Sequence, residues 1–314
     1  DTAQRLLVEH NSSYAVGALK KLLASGAHPL GRLHALWTLE GMRRLELPTI
    51  RLALHDADWR VRSAAVRVSE PVLGGRKRDQ LLSDVMALES DAQPNVRLQY
   101  MLTISAVGIA RTDDSIARVL KSDAHNLYIR DAALSGMRAR ELPFLTRLCA
   151  DPAWSAKGAG RDQLFASLAR SVMNEASPKR VSALLDLIGK DHPAWQQDAL
   201  LLGVAQVGKL RFNHHLMLIA ESPDRIVDRM DDPHVKAALK YIAWPGKPGY
   251  VPPPPPRPLT ADEQARFAAG QVVYSKTCIQ CHKIDGRGQE GLAPPLMNSD
   301  WVLGSENRIA RIVL

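Results

Sequence analysis

Long apolar runs are missing from this sequence. No stretch reaches the ~18 apolar residues that a membrane-crossing helix needs, and no charged-then-apolar leader opens the chain. The first residue is Asp rather than Met, so the sequence is expected to begin inside a longer precursor or after a processing site. On that expectation a missing leader says little about localisation. Aromatic residues make up only 5% of the 314. With Leu, Ala and Arg abundant instead, that scarcity argues against an all-β fold and for helices. Nucleophile elbows, phosphate loops and paired catalytic carboxylates are also missing from the first two thirds of the chain, as is any recognised nucleic-acid-binding motif.

The formal charge is +8. Net charge speaks to association and not to fold. Its plainest reading is a solvated basic surface, and the sharper one a basic face that docks an acidic partner such as another redox protein. Nucleic acid is not expected, because the cations are spread along the chain.

What the sequence does contain is repetition. A turn bearing Pro or Asp, a polar step and a helix opening on Arg or Gln recur from one end of residues 1–243 to the other. Arg32, Arg62, Arg97 and Arg130 mark copies at intervals of about 30–35 residues, and looser copies begin at Asp151-Pro152, His192-Pro193 and Asp232-Pro233. Helical periodicity fills the gaps, as in Leu81, Leu82, Val85, Met86 and Leu88. Helix pairs with one apolar face each must stack to bury it, which predicts an α-solenoid. The element Asp58, Arg62, Ala65 resembles the second-helix signature of HEAT repeats. That resemblance implies an Asp cap at the helix start, an Arg reaching back to a neighbouring repeat and an Ala that permits close packing. Trp37, Trp59, Trp154 and Trp195 are expected to fill gaps between repeats, and the histidines scattered along this region to be structural. Cys149, in an apolar helical stretch, is read as a small hydrophobe.

Residues 244–259 read as a linker. Trp244-Pro245-Gly246 leads to five prolines, Pro252 to Pro256, which exclude helix and central strand and predict a polyproline II spacer. Residues 260–314 then form a small module. Thr260 and Glu263 make a capping box for a helix expected from Ala261 to about Lys276, with Phe267, Gly270 and Tyr274 on one face.

That helix feeds into Cys278-Ile279-Gln280-Cys281-His282. Two thiols three residues apart on a helical turn reach the two vinyl groups of a haem, and the following histidine is held against the iron. A structural zinc site needs a second Cys or His pair, and none follows; a thioredoxin-like pair needs βαβ context, which is lacking. The spacing therefore predicts covalent haem c on Cys278 and Cys281, with His282 as the iron ligand. Asp285 to Gly291 matches a dinucleotide loop superficially, but it does not follow a strand, and is read as a glycine-rich loop round the haem edge.

The segment through Ala293-Pro294-Pro295-Leu296 resembles class I c-type cytochromes. The resemblance implies that the Pro294 carbonyl accepts from the Nδ1–H of His282 and that Leu296 packs on the haem face. Trp301 is placed near a propionate. The resemblance also expects a distal methionine and a C-terminal helix packed on Phe267, Gly270 and Tyr274; Met297 lies too close to the proline loop for that role. The domain is accordingly expected to be incomplete in this sequence.

The order of helical repeats, linker and haem module resembles the C-terminal part of periplasmic PQQ- or sugar-dehydrogenase-like proteins. What this implies is an all-α chain, a HEAT-like solenoid followed by a class I cytochrome c-like domain. It would serve as electron acceptor in a periplasmic sugar or alcohol dehydrogenase system, taking electrons from a dehydrogenase domain and passing them to a cytochrome or membrane carrier. No catalytic dehydrogenase site belongs to this chain. Two rivals stay open: a scaffold whose repeats dock a partner, with the haem secondary, and haem chemistry at an open sixth position.

Overall fold

The computed structural model describes residues 2–211, 216–251, 257–286, 288–289, 292–297, 299 and 301–313. The expected spacer at Pro252 to Pro256, the paired His214 and His215, and Arg287, Glu290 and Gly291 of the glycine-rich loop lie outside them. Two compact units divide the chain, Asp1–Tyr250 and Val251–Leu314.

Among its described residues the regular structure of the first unit is helical apart from one two-residue parallel strand pair, Met217–Leu218 with Ile242–Ala243. Its helices form two ranks. In one, Pro29–Gly41, Trp59–Val68, Pro94–Ser105 and Leu127–Ser135 each pack on the next; Arg161–Asn174, Ala194–Arg211 and Pro233–Leu239 continue in the same way. In the other, Val16–Ser25 packs on Leu47–Leu54, that helix on Leu82–Met86, and Glu141–Ala150 on Pro178–Ile188. The turns explain where helices start. Asp58, Asn126 and Asp232 each accept a hydrogen bond from the backbone N–H two residues on. Pro29, Pro94, Pro178 and Pro233 occupy first helical positions, where no N–H is missed.

The core runs between the ranks, from Leu23 and Leu36 to Leu239 and Trp244. Trp154 is 1% exposed and packs against Phe165, itself against Trp195, with ring centroids 6.2 and 5.1 Å apart. Burial pushes the Cys149 thiol up to about 12, so it stays a neutral, inert filler. Trp244 is buried, and the Lys247 ammonium donates to the carbonyls of Leu239 at 2.6 Å and Ile242 at 2.5 Å. The first unit consequently extends to Tyr250, past residue 243 where the repeats were expected to stop. A Pro/Gly-rich stretch looks like linker when its neighbours in space are unknown.

The four marker arginines share one geometry. Each sends Nη1 to a carbonyl of the turn before its own helix: Arg32 to Gly26, Arg62 to Asp56, Arg97 to Asp91 and Arg130 to Ala124, at 2.5–2.8 Å. The first three also grip a carboxylate in the next turn. Arg32 holds Asp56 through two bonds of 2.7 Å, Arg62 holds Asp91 at 2.8 and 3.0 Å, and Arg97 holds Asp123 at 3.2 Å. The resemblance implied an arginine reaching back to a neighbouring repeat. Here the carboxylate partner lies further along the chain, before the next helix of the rank, and the backward reach ends on the arginine's own turn.

Both bonds of the Arg62–Asp91 rung are charge-assisted, and both side chains are largely covered, at 16% and 6% exposure. Asp91→Ala leaves Arg62 without its acid and removes the cap on the Gln93 N–H. The expected loss is about 2–4 kcal/mol in urea unfolding, against at most about 0.5 kcal/mol for exposed Asp79→Ala. The arginine bond holds the Asp91 carboxyl below its ordinary value. Burial of Asp56 opposes ionisation, yet the bonds from Arg32 and the Asp58 N–H still hold it low. Lowered folded values stabilise above the unfolded carboxylate pKa of about 4 and are lost as pH falls through the folded pKa. The urea midpoint of the parent should therefore drop below about pH 4, and less steeply in Asp91→Ala.

In the second unit, helix Ala261–Thr277 starts on the expected capping box. Glu263 N–H donates to Thr260 Oγ1 at 3.3 Å, and Thr260 N–H to Glu263 Oε2 at 2.9 Å. Arg257 adds a bidentate clamp on Glu263 at 2.7 and 2.6 Å, and this guanidinium brings the carboxyl down to about 2.

Candidate functional site

The helix Ala261–Thr277 delivers the two cysteines. Its last turn closes with Cys278 N–H donating to the Tyr274 carbonyl at 2.9 Å, and a single further turn, Ile279–His282, begins at once. His282 N–H donates to the Cys278 carbonyl at 2.9 Å and Cys281 N–H to the same oxygen at 3.2 Å. Cys278, Cys281 and His282 thus share one helical turn, and neither cysteine is in a disulfide.

Lys283 then turns the chain sharply, at φ 62° and ψ 168°. Three bonds fix the loop that follows. Tyr274 donates its hydroxyl to the Lys283 carbonyl at 2.6 Å, Gly288 N–H reaches the His282 carbonyl at 2.9 Å, and Leu296 N–H reaches the Gly286 carbonyl at 2.8 Å. Gly286 and Gly288 both adopt left-handed backbone, and a Cβ on Gly288 would fall 2.3 Å from the Ala293 carbonyl oxygen. Only glycine fits there.

The loop brings Pro294 back to the histidine: His282 Nδ1 lies 2.9 Å from the Pro294 carbonyl oxygen. A carbonyl only accepts, so Nδ1 carries the hydrogen, which leaves Nε2 as the ring nitrogen that can face a metal. Leu296 is half-buried in the same loop, and Met297 N–H also bonds to Gly286, at 3.2 Å. Trp301 is 61% exposed, with the Arg308 guanidinium 5.4 Å from its ring centre. Phe267 is 58% exposed, and a Cβ on Gly270 would meet nothing within 4 Å. Sequence reasoning placed Tyr274 on one face with Phe267 and Gly270 and missed its bond to Lys283. The signal was one helical turn of spacing between Tyr274 and Cys278.

A second feature concerns what this unit lacks. Among the described residues of 251–314, none is buried. Ile284, Leu292, Leu303, Val273 and Ile312 are each 60% exposed or more. So much apolar surface beside two thiols and an oriented imidazole fits a large flat apolar group that would become the core. A porphyrin is such a group, and the donor set suits its iron.

Comparison with known proteins agrees. Residues 267–313 match the family model of cytochrome c. No curated protein and no solved structure matched the chain. A cytochrome c domain therefore follows a largely helical N-terminal region, and such a domain implies covalent haem c.

Proposed function

We propose that a protein whose residues 267–313 are a cytochrome c domain serves as the electron-acceptor module of an extracytoplasmic sugar or alcohol dehydrogenase system. Bound haem c supplies a one-electron couple. Cys278 and Cys281 tether the group, His282 ligates the iron, Pro294 fixes the imidazole and raises its basicity, and Leu296 covers the apolar face. The bond between His282 Nδ1 and the Pro294 carbonyl carries the site assignment. A zinc or thiol-redox site has no need of that bond joined to an uncovered apolar surface. The helical unit is read as a HEAT-like solenoid, supported by its serial helices and arginine rungs. The order of repeats and haem module, which resembles periplasmic dehydrogenase-like proteins, supports the donor class.

Full-length protein matured with haem should show a sharp reduced α band with dithionite. It should show the same band with a PQQ-dependent sugar dehydrogenase and its sugar. A band with dithionite and none with the dehydrogenase overturns the donor assignment and leaves the haem. No band with either overturns the electron-transfer reading.

A further inference from the structure

The sequence spreads its cations evenly; the fold does not. Arg32, Arg62 and Arg97 each bind the turn that opens the next helix of their rank. Those helix starts are therefore neighbours, the helices run the same way, and their C-termini gather at the opposite end. Two contacts tie that opposite end together: Arg140 grips Asp113, and Arg180 approaches Glu141 at 3.9 Å. The turns found there are 41–46, 74–80, 136–140 and 174–179.

These turns carry Arg43, Arg44, Arg76, Lys77, Arg138 and Lys179, all exposed. Among the described residues none of the six makes an ion pair or a side-chain hydrogen bond. Several neighbouring acids are already engaged, Glu46 by Lys20, Glu70 by Arg67 and Glu175 by Arg180. Asp79 lies beside Arg78, and Glu40 is the other exposed acid nearby. Arg43 and Arg138 have left-handed backbone, at φ 56° and 32°. Glycine would hold those positions without steric cost.

The row also has depth. A cleft of about 530 Å³ opens beside the 74–78 turn; Arg67, Arg78, Gln99 and Thr103 line it with Glu70, whose carboxylate is held by Arg67, and Leu102 is its exposed apolar wall. We infer that this end of the helical ranks is a docking surface for an acidic protein, whose carboxylates meet the six cations while one protruding segment enters the cleft. A lipid headgroup layer is flat and cannot use a cleft of mixed polar and apolar lining. Single-stranded nucleic acid wants aromatic platforms, and these turns have none. Complementary charge of this kind sets encounter rate and orientation.

The probe is polyglutamate, with full-length chain and binding read at about 20 mM and about 150 mM salt. Arg43→Glu, Arg76→Glu, Lys77→Glu and Arg138→Glu together are compared with Lys21→Glu, Lys157→Glu, Lys190→Glu and Lys236→Glu. The second set has the same net charge, with the reversals placed away from the row. The row variant should lose about ten-fold or more in affinity relative to the control at low salt. Arg76→Glu with Lys77→Glu, which leaves the left-handed positions alone, should move in the same direction. Equal binding by both four-site variants overturns the proposal. So does tighter row-dependent binding to phosphatidylglycerol vesicles than to polyglutamate, which would make this a membrane surface. Neither result bears on the haem reading, because the assay measures association alone.

Discussion

Protein carrying Cys278→Ala with Cys281→Ala, made where c-type maturation operates, will show no covalently added porphyrin by mass, while the parent will show one. The two thiols are the tethers, and Cys149 cannot substitute: burial keeps it protonated, in the other unit. The variant will also lose the order of its second unit. With no buried residue described in 251–314, the chain there supplies little core of its own. A module of this size is marginal without a prosthetic group or other cross-link. Amide exchange should read protection at Tyr274 to Met297 only in the porphyrin-bearing parent, with the first unit unchanged in both. Porphyrin in the double variant, or equal protection in the two proteins, would refute this account of the site.

The second large effect falls in the helical unit. Gly160 precedes helix Arg161–Asn174 with φ +76°, and a Cβ there would sit 1.9 Å from the Ala124 carbonyl oxygen and 2.7 Å from His125 Cα. Both obstacles are backbone and neither can swing aside. Gly160→Ala combines left-handed strain with overpacking, for an expected loss of about 3–5 kcal/mol. Gly17 is the control. It lies in helix Val16–Ser25 with nothing within 4 Å, and Gly17→Ala should be neutral or stabilise by up to about 1 kcal/mol. Chemical denaturation followed by circular dichroism separates the two; a Gly160→Ala midpoint within error of the parent would show that the turn can relax.

Local chemistry made part of this legible beforehand. The capping box at Thr260 and Glu263 and the turn holding Cys278, Cys281 and His282 depend on residues a few positions apart, and sequence displays those directly, while the Asp58 cap was reached through the HEAT resemblance. The contact between His282 and Pro294 was reached through resemblance, because spacing alone does not show which way a loop closes. What stayed hidden depends on distant residues. The spacing of Arg32, Arg62 and Arg97 was visible, but their carboxylates Asp56, Asp91 and Asp123 lie in later turns, among many other acids. The strand pair of Met217–Leu218 and Ile242–Ala243 is too short to leave a period. Trp244 reads as linker until its burial is known. The charged end of the ranks shows the same limit, since its cations come together only when parallel helices bring their ends into line.

The arginine rungs also bear on how such a chain can change over generations. Each rung joins one arginine to an acid just before the next helix of its rank, with two carboxylate bonds at Arg32 and Arg62 and one at Arg97. On the solenoid reading proposed above, a duplication or excision that spans one whole helix pair would hand an arginine an equivalent acid, so the number of pairs could drift while neighbours keep their seating. An insertion of one or two residues inside a helix has no such freedom, since it rotates the arginine off its acid and the apolar stripe off its neighbour.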